Sequence, residues 1–284
     1  MMLKRMVFGL ACIVAFIGSV SHSYASGNNE LIQASVAGNT EGAQNALSDG
    51  ADPNYVNANG FTALIVAASQ GNLDLVTLLV SKGADPNIRS REEGVSALYV
   101  AAMQDYPEVV SYLADHGGDI STKDKDGTTP LLLAATNGIK RIVELLISKG
   151  ADVNVANNIG STPLHAAAHY GHLDVARLLI SKGANVDATT IDGVTPIYDA
   201  TKEGKINLVS LLAESKANVN VRTKNGFTPF LVAAALGRKE IAELLLSHGA
   251  DVNTTDNRGR SPMDYAIHNK HGDIVQLLRS RGNN

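Results

Sequence analysis

A regular spacing of glycines constrains this chain more than any other feature of its sequence. Glycines that precede an apolar segment recur with a period of about 33 residues, at Gly27, Gly60, Gly94, Gly127, Gly160, Gly193, Gly226 and Gly259. A second series follows the same period at Gly50, Gly83, Gly117, Gly150, Gly183, Gly249 and Gly282, and Lys216 occupies its one missing position. A fixed period of this size predicts stacked structural repeats, each a small supersecondary unit.

Residues 161–187 show what one repeat contains. Thr162 is suited to cap a helix with its hydroxyl, and Pro163 suits the first helical position. Gly171 ends this helix, and a second helix follows that ends at Gly183. Neither predicted helix exceeds about ten residues, fewer than the roughly 12–15 that an isolated helix needs in water. One repeat alone should therefore not fold, and the repeats must stack.

The start of the first helix carries a recognisable motif. Thr162-Pro163-Leu164-His165 is its full form, and near matches begin at Thr129, Thr195, Thr228 and Ser261. With the period, these residues make the chain resemble the ankyrin-repeat family. The resemblance implies an all-α fold, a solenoid of eight helix–turn–helix units with β-turn or hairpin connections over residues 26–284. The approximate units are 27–56, 57–89, 90–123, 124–156, 157–189, 190–222, 223–255 and 256–284.

Residues 1–25 do not fit the repeat and are typical of a secretory signal peptide. Lys4 and Arg5 give a positive start, residues 7–20 are apolar, and small residues precede a cut after Ala25. The apolar run is shorter than the roughly 20 residues of a membrane span. The alternatives are an uncleaved anchor and a lipid attached at Cys12.

Charge and cysteine content narrow the possible partners. Cleavage after Ala25 removes the only cysteine together with Lys4 and Arg5, so the formal charge falls by two, from −4 to −6. The mature chain then has no disulfide and no thiol nucleophile. An acidic chain with interspersed signs is not suited to phosphate backbones, so we expect no nucleic acid partner. A signal peptide without a disulfide framework indicates a location in the bacterial periplasm. The extracellular space is the alternative.

Two repeats depart from the common pattern. The third has a turn one residue longer, at residues 89–93, and Asp105-Tyr106-Pro107 replaces the glycine between its helices. This insertion is either a tolerated loop or a contact-making finger. The sixth has Lys216 at a capping position that calls for left-handed backbone, and Asp199 where other repeats are apolar. We expect the sixth repeat to form the weakest junction of the array.

No residue pattern indicates catalysis, and we expect neither a cofactor nor a bound metal. His165 and His169 lie four apart on one helix, a spacing that suits a metal pair, but the resemblance makes His165 a structural residue that bonds a neighbouring turn. The Asp or Asn that recurs in each turn, as at Asp152, suits a bond to its own turn backbone rather than calcium.

Binding to another protein is the remaining interpretation. The resemblance implies that partners bind the concave face, formed by the turn tips and the exposed side of each first helix. The residues that vary at these positions are the candidate partner-binding residues: Phe61, Gln70, Arg91, Tyr99, Met103, Gln104, Asn137, His169, Tyr170, Lys202, Glu203, Phe227 and Leu236. Aromatic side chains among them are candidate anchors. Tyr99 stands at the structural histidine position, so it either anchors a partner or fills that position in the fold.

The sequence therefore predicts a non-catalytic, monomeric scaffold that binds a partner protein and stabilises or inhibits it in the periplasm, with no membrane contact beyond the signal peptide. One alternative is a secreted effector that binds proteins of a host or competitor. A weaker alternative is an enzyme or metal-binding protein built on the same array.

Overall fold

The structure is a computed structural model in which residues 27–281 are described. Within these residues it contains sixteen α-helices and no strand, as the sequence predicts. The helices are divided between two compact units, with the boundary between Lys125 and Asp126. The signal peptide and its cut after Ala25 lie outside the described residues, as do residues 282–284.

The first unit contains three helix pairs. Their bounds are α1 Gly27–Val36, α2 Thr40–Ser48, α3 Ala63–Ser69, α4 Leu73–Ser81, α5 Ala97–Met103 and α6 Pro107–Asp115. The first helices α1, α3 and α5 pack side by side, and the second helices α2, α4 and α6 form a parallel layer behind them. Pro107 begins α6, as expected for a second helix that lacks the preceding glycine.

The second unit contains five helix pairs. Their bounds are α7 Pro130–Asn137, α8 Lys140–Ser148, α9 Pro163–Tyr170, α10 Leu173–Ser181, α11 Pro196–Lys202, α12 Ile206–Glu214, α13 Pro229–Ala235, α14 Lys239–Ser247, α15 Pro262–His268 and α16 Gly272–Ser280. The first helices α7, α9, α11, α13 and α15 again form one layer, and the second helices form the other. None of the sixteen helices in residues 27–281 has the length and apolarity needed to cross a membrane.

Threonine and proline set the start of most first helices. Thr129 and Thr228 lie in extended backbone, and each hydroxyl accepts a hydrogen bond from the backbone N–H three residues later. The following proline occupies a helical position whose N–H would have no partner. Each such cap contributes about 1 kcal/mol, which matters for helices this short.

Small residues let the two layers approach closely. Ala67, Ala68, Ala134 and Ala135 are fully buried on the first helices, and leucines such as Leu179 are fully buried on the second helices. Each buried leucine contributes about 1.5–3 kcal/mol. The apolar core therefore lies between the layers and between neighbouring pairs, so it exists only when pairs stack.

The glycine between the two helices of a pair has a second role beyond ending the first helix. Gly138 has a left-handed φ of 72°, and an added Cβ would collide with the ring of His172 in the next pair. Gly237 is covered in the same way by His271. Both histidines reach back to a carbonyl of the preceding repeat, His172 to Thr136 at 3.0 Å and His271 to Ala235 at 3.1 Å.

Tight turns connect the pairs. Across residues 57–61, the Asn57 N–H donates to the Phe61 carbonyl at 2.9 Å, and the Asn57 side chain accepts from the Phe61 N–H at 2.9 Å. Residues 157–161, 190–194 and 223–227 repeat this arrangement. Neighbouring turn tips are joined by single backbone bonds, such as Ile191 N–H to the Ile159 carbonyl at 2.9 Å.

An asparagine side chain bridges successive repeats on the side of the second helices. The Asn54 amide donates to the Gly83 carbonyl at 3.0 Å and accepts from the Asp85 N–H at 2.7 Å. Asn87, Asn154 and Asn220 make the same two bonds to the repeats that follow them. In the first repeat, Asn28 supplies an acceptor at 2.7 Å to the Asp52 N–H, which no preceding asparagine serves. The capping glycine is thus one end of a bridge between repeats.

The junction between the fifth and sixth repeats, where the sequence predicts the weakest contact of the array, departs from this bridge at both ends. Asp187 replaces the asparagine and still accepts from the Asn218 N–H at 2.8 Å, but a carboxylate has no N–H to donate. Lys216 replaces the capping glycine and has a left-handed φ of 65°. Asp105 and Lys270 take the same left-handed conformation at inter-helix turns; the sequence did not predict this for Lys270.

We predict that repairing either end of this bridge stabilises the protein. Asp187→Asn restores a donor toward the Lys216 carbonyl and should add about 1 kcal/mol. Lys216→Gly removes the left-handed penalty and should add about 1–2 kcal/mol. Urea unfolding of the mature chain measures both effects as an increase in midpoint. As the matched control, Asn154→Asp removes the same donor at an intact junction and should lower the midpoint; a lower midpoint in both repaired variants would contradict this account.

Candidate partner-binding surface

The first-helix face is the surface formed by the C-terminal ends of the first helices and the turn tips beside them. In the second unit it includes Asn137, Tyr170, Glu203 and Leu236, which occupy the same position in four successive repeats. Their helices α7, α9, α11 and α13 pack side by side, so these positions are neighbours in space.

His165 is a structural residue, as the resemblance implies. Its ring is buried at the start of α9, where Nδ1 lies 2.9 Å from the Thr162 hydroxyl and 3.2 Å from the Thr162 N–H. Nε2 lies 3.0 Å from the Val194 carbonyl in the next turn, so a neutral ring with its proton on Nε2 satisfies all three contacts. Burial lowers the pKa of His165 below its ordinary value, which keeps the ring neutral.

His169, four residues later, lies in a different environment. It is partly exposed at the end of α9, with Nδ1 3.8 Å from Oδ1 of Asp199 and 3.7 Å from Oε1 of Glu203. Both carboxylates belong to the next repeat. The Asp199 carboxylate raises the pKa of His169 above its ordinary value; burial opposes this rise, and Glu203 adds to it. Of the candidates predicted from the sequence, His169 and Glu203 are therefore brought together.

Two apolar candidates are open to solvent on this face. Tyr170 is 41% exposed, with its ring edge-on to His169 at 4.7 Å and stacked near His172 at 6.3 Å. Leu236 is 44% exposed immediately after α13. A combination of exposed apolar side chains and neighbouring charged side chains is typical of protein-binding surfaces.

Two further candidates of the second unit are polar. Lys202 is exposed at the end of α11, and Asn137 is half-buried at the end of α7. Both lie at the ends of first helices that flank α9, so they belong to the surroundings of Tyr170.

Phe227 is held in place by the last repeat. Its ring is half-buried and lies 5.5 Å from that of Tyr265, which in turn lies 4.6 Å below the Arg260 guanidinium. Tyr265 and Arg260 both donate to the Asp256 carboxylate at 2.9 Å. Burial alone would raise the pKa of Asp256, but the hydrogen bonds from Arg260 and Tyr265 outweigh it and hold that pKa far below its ordinary value. This cluster stabilises the final turn.

The candidates of the first unit are dispersed along its face. Gln70 is exposed but its amide donates to the Val36 carbonyl at 2.8 Å, so it joins two repeats. Phe61 and Met103 are half-buried, whereas Gln104 is exposed. No contact within the described residues places these four side chains in one cluster.

The longer turn of the third repeat is tied to its neighbours. Arg89 donates to the carbonyls of Gly94 and Lys123, and Glu93 forms an ion pair with Lys125 at 2.6 Å. Arg91 packs its backbone and Cβ on Gly60 but is otherwise exposed. The anchored turn thus presents Arg91 on a fixed base, and its role as a binding residue stays a prediction.

Tyr99 is wrong as a partner-binding residue. Its side chain is fully buried, and its hydroxyl donates to Oδ2 of the buried Asp124 at 2.7 Å. Like His165, it connects the start of a first helix to the next turn, so it fills the structural position. The Tyr99 hydroxyl bonds a side-chain carboxylate of the next turn, whereas the His165 ring bonds a backbone carbonyl of the next turn.

The motifs of the single repeats do not predict the contacts of two residues near this face. Asp199 departs from the repeat pattern without by itself indicating its proximity to His169, and no pattern singles out Tyr265. The repeat period does indicate the contact with His169, because Asp199 and Glu203 each follow His169 by nearly one repeat length. Opposite charges one period apart predict contacts between adjacent first helices.

Residues 27–281 contain no candidate metal site, since no group of three or more His, Cys, Asp or Glu side chains there has a suitable arrangement. Residues 27–281 thus form stacked helix pairs, and the exposed apolar candidates, Tyr170 and Leu236, lie on the first-helix face of the second unit.

Comparison with known families agrees with this architecture. A family model described as ankyrin repeats, in three copies, matches residues 10–90, 31–124, 83–157, 117–190 and 197–284. The chain therefore belongs to the ankyrin-repeat family, whose members are in general non-catalytic modules for protein–protein interaction. The first matched range begins inside the segment predicted to be a signal peptide. A search of curated proteins found no match.

We predict that Tyr99→Phe destabilises the first unit by about 1 kcal/mol, because Asp124 loses a buried hydrogen bond while the ring still fills its space. Urea unfolding, followed by circular dichroism, measures the change. The control is Tyr55→Phe, at a half-buried tyrosine whose hydroxyl has no hydrogen-bond partner in residues 27–281. Equal midpoints for the two variants would contradict a structural role for the Tyr99 hydroxyl.

Proposed function

We propose that this protein is an exported, non-catalytic scaffold that binds a partner protein on the first-helix face of its second unit and stabilises or inhibits it. The observation that carries the proposal is the exposure of Tyr170 and Leu236 on that face, where the same helices bury nearly all their other large apolar groups. Unburied apolar groups next to a rigid core are candidate anchors for a partner.

The charged residues around Tyr170 support a protein partner. Lys202 and Glu203 lie one repeat away, and His169 lies at the edge of the tyrosine ring. An aromatic anchor with charged neighbours of both signs matches the apolar centre and polar rim of a protein interface. It does not match a uniformly basic surface for nucleic acid.

Fixed helix ends support binding without large rearrangement. The Thr162 and Pro163 cap starts α9, and Gly171 ends it in a left-handed conformation with φ of 90°. Tyr170 is thereby held at a defined position before a partner arrives. Such preorganisation reduces the conformational entropy lost on association.

The proposed face can be tested with a matched apolar control. Leu236 and Ile206 are exposed to similar extents, 44% and 41%, but Ile206 starts the second helix α12 and is not one of the residues of the first-helix face. The mature chain, its Tyr170→Ala/Leu236→Ala variant and its Ile206→Ala variant are used as bait against an extract of the cells that produce it, with quantitative mass spectrometry of bound proteins.

We expect a protein retained by the wild type and by Ile206→Ala, and retained about tenfold less or not at all by the double variant, since a pair of anchors commonly contributes more than about 1.4 kcal/mol. Circular dichroism establishes that all three baits are folded. Equal recovery of the same proteins by all three would refute the proposed face.

Export is supported by the sequence of residues 1–25, with its positive start, apolar run and small residues before Ser26. We predict that the chain recovered from its native cells begins at Ser26 and lies in the periplasmic fraction. Intact mass and cell fractionation test this. Recovery of a chain that retains residues 1–25 in the cytoplasmic fraction would contradict export, and recovery from the medium would indicate release.

A further inference from the structure

One contact between repeats combines several departures from the common pattern. We call the contact between residues 157–189 and 190–222 the His169 junction. On the side of the second helices, Asp187 cannot donate to the carbonyl of Lys216, and Lys216 itself is left-handed. The bridge that stabilises neighbouring junctions is therefore incomplete at this one.

Helix α11, on one side of this junction, contains a second irregularity in its buried core. Thr201 is fully buried on α11, and its hydroxyl has no hydrogen-bond partner within residues 27–281. The equivalent residues on α7, α9 and α13 are alanines, Ala135, Ala168 and Ala234. A buried hydroxyl without a partner weakens packing where an alanine would fit.

On the first-helix face, the same junction has an interaction that its neighbours lack. His169 on α9 faces Asp199 and Glu203, at 3.8 and 3.7 Å. The equivalent set one repeat later is Lys202, Val232 and Leu236, and one repeat earlier it is Thr136, Ala166 and Tyr170. Neither set can form an ion pair, so the arrangement is not a property of the repeat.

The distances identify what protonation would change. At 3.7 and 3.8 Å, a neutral imidazole makes no good hydrogen bond to either carboxylate. An imidazolium at the same position faces two negative charges across the junction and is attracted to both. Neither carboxylate has another hydrogen bond or ion pair within the described residues, so both remain available to the histidine.

Few other charges oppose this attraction. On α11, Lys202 lowers the pKa of His169, but its effect is smaller than that of Asp199 and Glu203. Lys205, which begins the turn into α12, packs its side chain on Gly171. The charged residues of α10, Asp174 and Arg177, are exposed and make no ion pair within residues 27–281, and α7 has no ionisable side chain.

The remaining ionisable rings nearby belong to the α9–α10 turn and to α11. Tyr170 meets His169 through its ring edge, and His172 is directed away, to the Thr136 carbonyl. Tyr198, beside Asp199, is half-buried, and burial raises the pKa of its hydroxyl, so it stays neutral at physiological pH.

We propose that His169, Asp199 and Glu203 form a proton-dependent clasp that closes the His169 junction when His169 is protonated and loosens it when His169 is neutral. The clasp compensates for the incomplete bridge of the same junction. Because its members include candidate partner-binding residues, it would adjust the face around Tyr170 to pH. The clasp itself does not depend on the proposed partner binding.

The pH at which the clasp acts follows from the direction of the pKa shift. The Asp199 carboxylate raises the pKa of His169 in the closed junction above that of an unpaired histidine, about 6.5. The stabilisation is then fully present below about pH 6.5 and is lost as pH rises through the higher pKa of the closed junction. Since the His169 side chain is 40% exposed, salt should weaken the effect.

The first test is an NMR titration of the histidine rings in the mature chain. The pKa of His169 should be higher in the wild type than in the Asp199→Asn/Glu203→Gln variant. His268, an exposed histidine on α15, is an internal control that should titrate equally in both. Glu240→Gln removes an exposed carboxylate of α14 and should leave His169 unchanged. Equal pKa values of His169 in wild type and double variant would overturn the clasp.

The second test measures the junction itself by hydrogen exchange. The N–H groups of Ile191 and Asn218 bond across the His169 junction, whereas that of Lys224 bonds across the next junction at 2.8 Å. Their protection factors, corrected for intrinsic exchange, are compared at about pH 5.5 and pH 8.5, on either side of the ordinary histidine pKa. Protection of Ile191 and Asn218 should be greater at the lower pH in the wild type and independent of pH in the double variant.

The two measurements must agree in size. The difference in His169 pKa that NMR measures between wild type and double variant sets the expected change in protection across the junction, which is about tenfold for each whole pH unit. If the pKa of His169 is raised but protection of Ile191 and Asn218 follows that of Lys224 at both pH values, the ion pair does not control the junction and the proposal is wrong. Where the double variant is unfolded, the Asp199→Asn single variant serves in both tests.

Discussion

The structure depends on contacts between repeats, because no helix of the described chain is long enough to be stable alone. The helices have seven to ten residues, and their apolar groups are buried only between layers and between neighbouring pairs. Polar contacts across the repeats follow the same logic. Asparagine bridges, turn-to-turn backbone bonds and histidines over glycines all run from one repeat to the next. Each repeat thus completes the hydrogen bonding and the core of its neighbour.

The contacts between repeats determine at which positions the residue type can vary. Residues that join repeats are restricted in size and donor capacity, as Gly138 and Asn154 illustrate. The ends of the first helices are less restricted: Gln70 joins two repeats there, but Tyr170, Glu203 and Leu236 occupy the equivalent position in other repeats. A frame fixed by contacts between repeats, with one variable face, is a physical basis for the binding of other proteins by this family.

The spacing of glycines was sufficient to predict the repeats, the helix pairs and the weak capping position at Lys216. Left-handed backbone and the first position of a helix are local requirements, so the glycines and prolines that meet them can be recognised from the sequence alone. The Asp187 half of the weak junction was not predicted, because its partner is a carbonyl of the next repeat whose position depends on the stacking.

The candidate surface was harder to predict for the same reason. Tyrosine is a residue type common among binding anchors, but the Tyr99 hydroxyl donates to the buried Asp124. Only the fold shows that this carboxylate is within hydrogen-bond distance. His169 stays a predicted binding residue, and its pairing with Asp199 was not predicted, since helical spacing alone compares residues within one helix. The sequence defines positions on a repeat, and the contact between repeats decides which of them remain exposed.

Native-state hydrogen exchange on a core variant tests the dependence between repeats most directly. Leu179 is fully buried on α10, which packs against α8 and α12, and Leu179→Ala should cost about 2–5 kcal/mol. If repeats complete one another, amide protection falls in α8 and α12 as well as in α10. Loss of protection confined to α10 would show that the helix pairs are stable singly and would contradict the account.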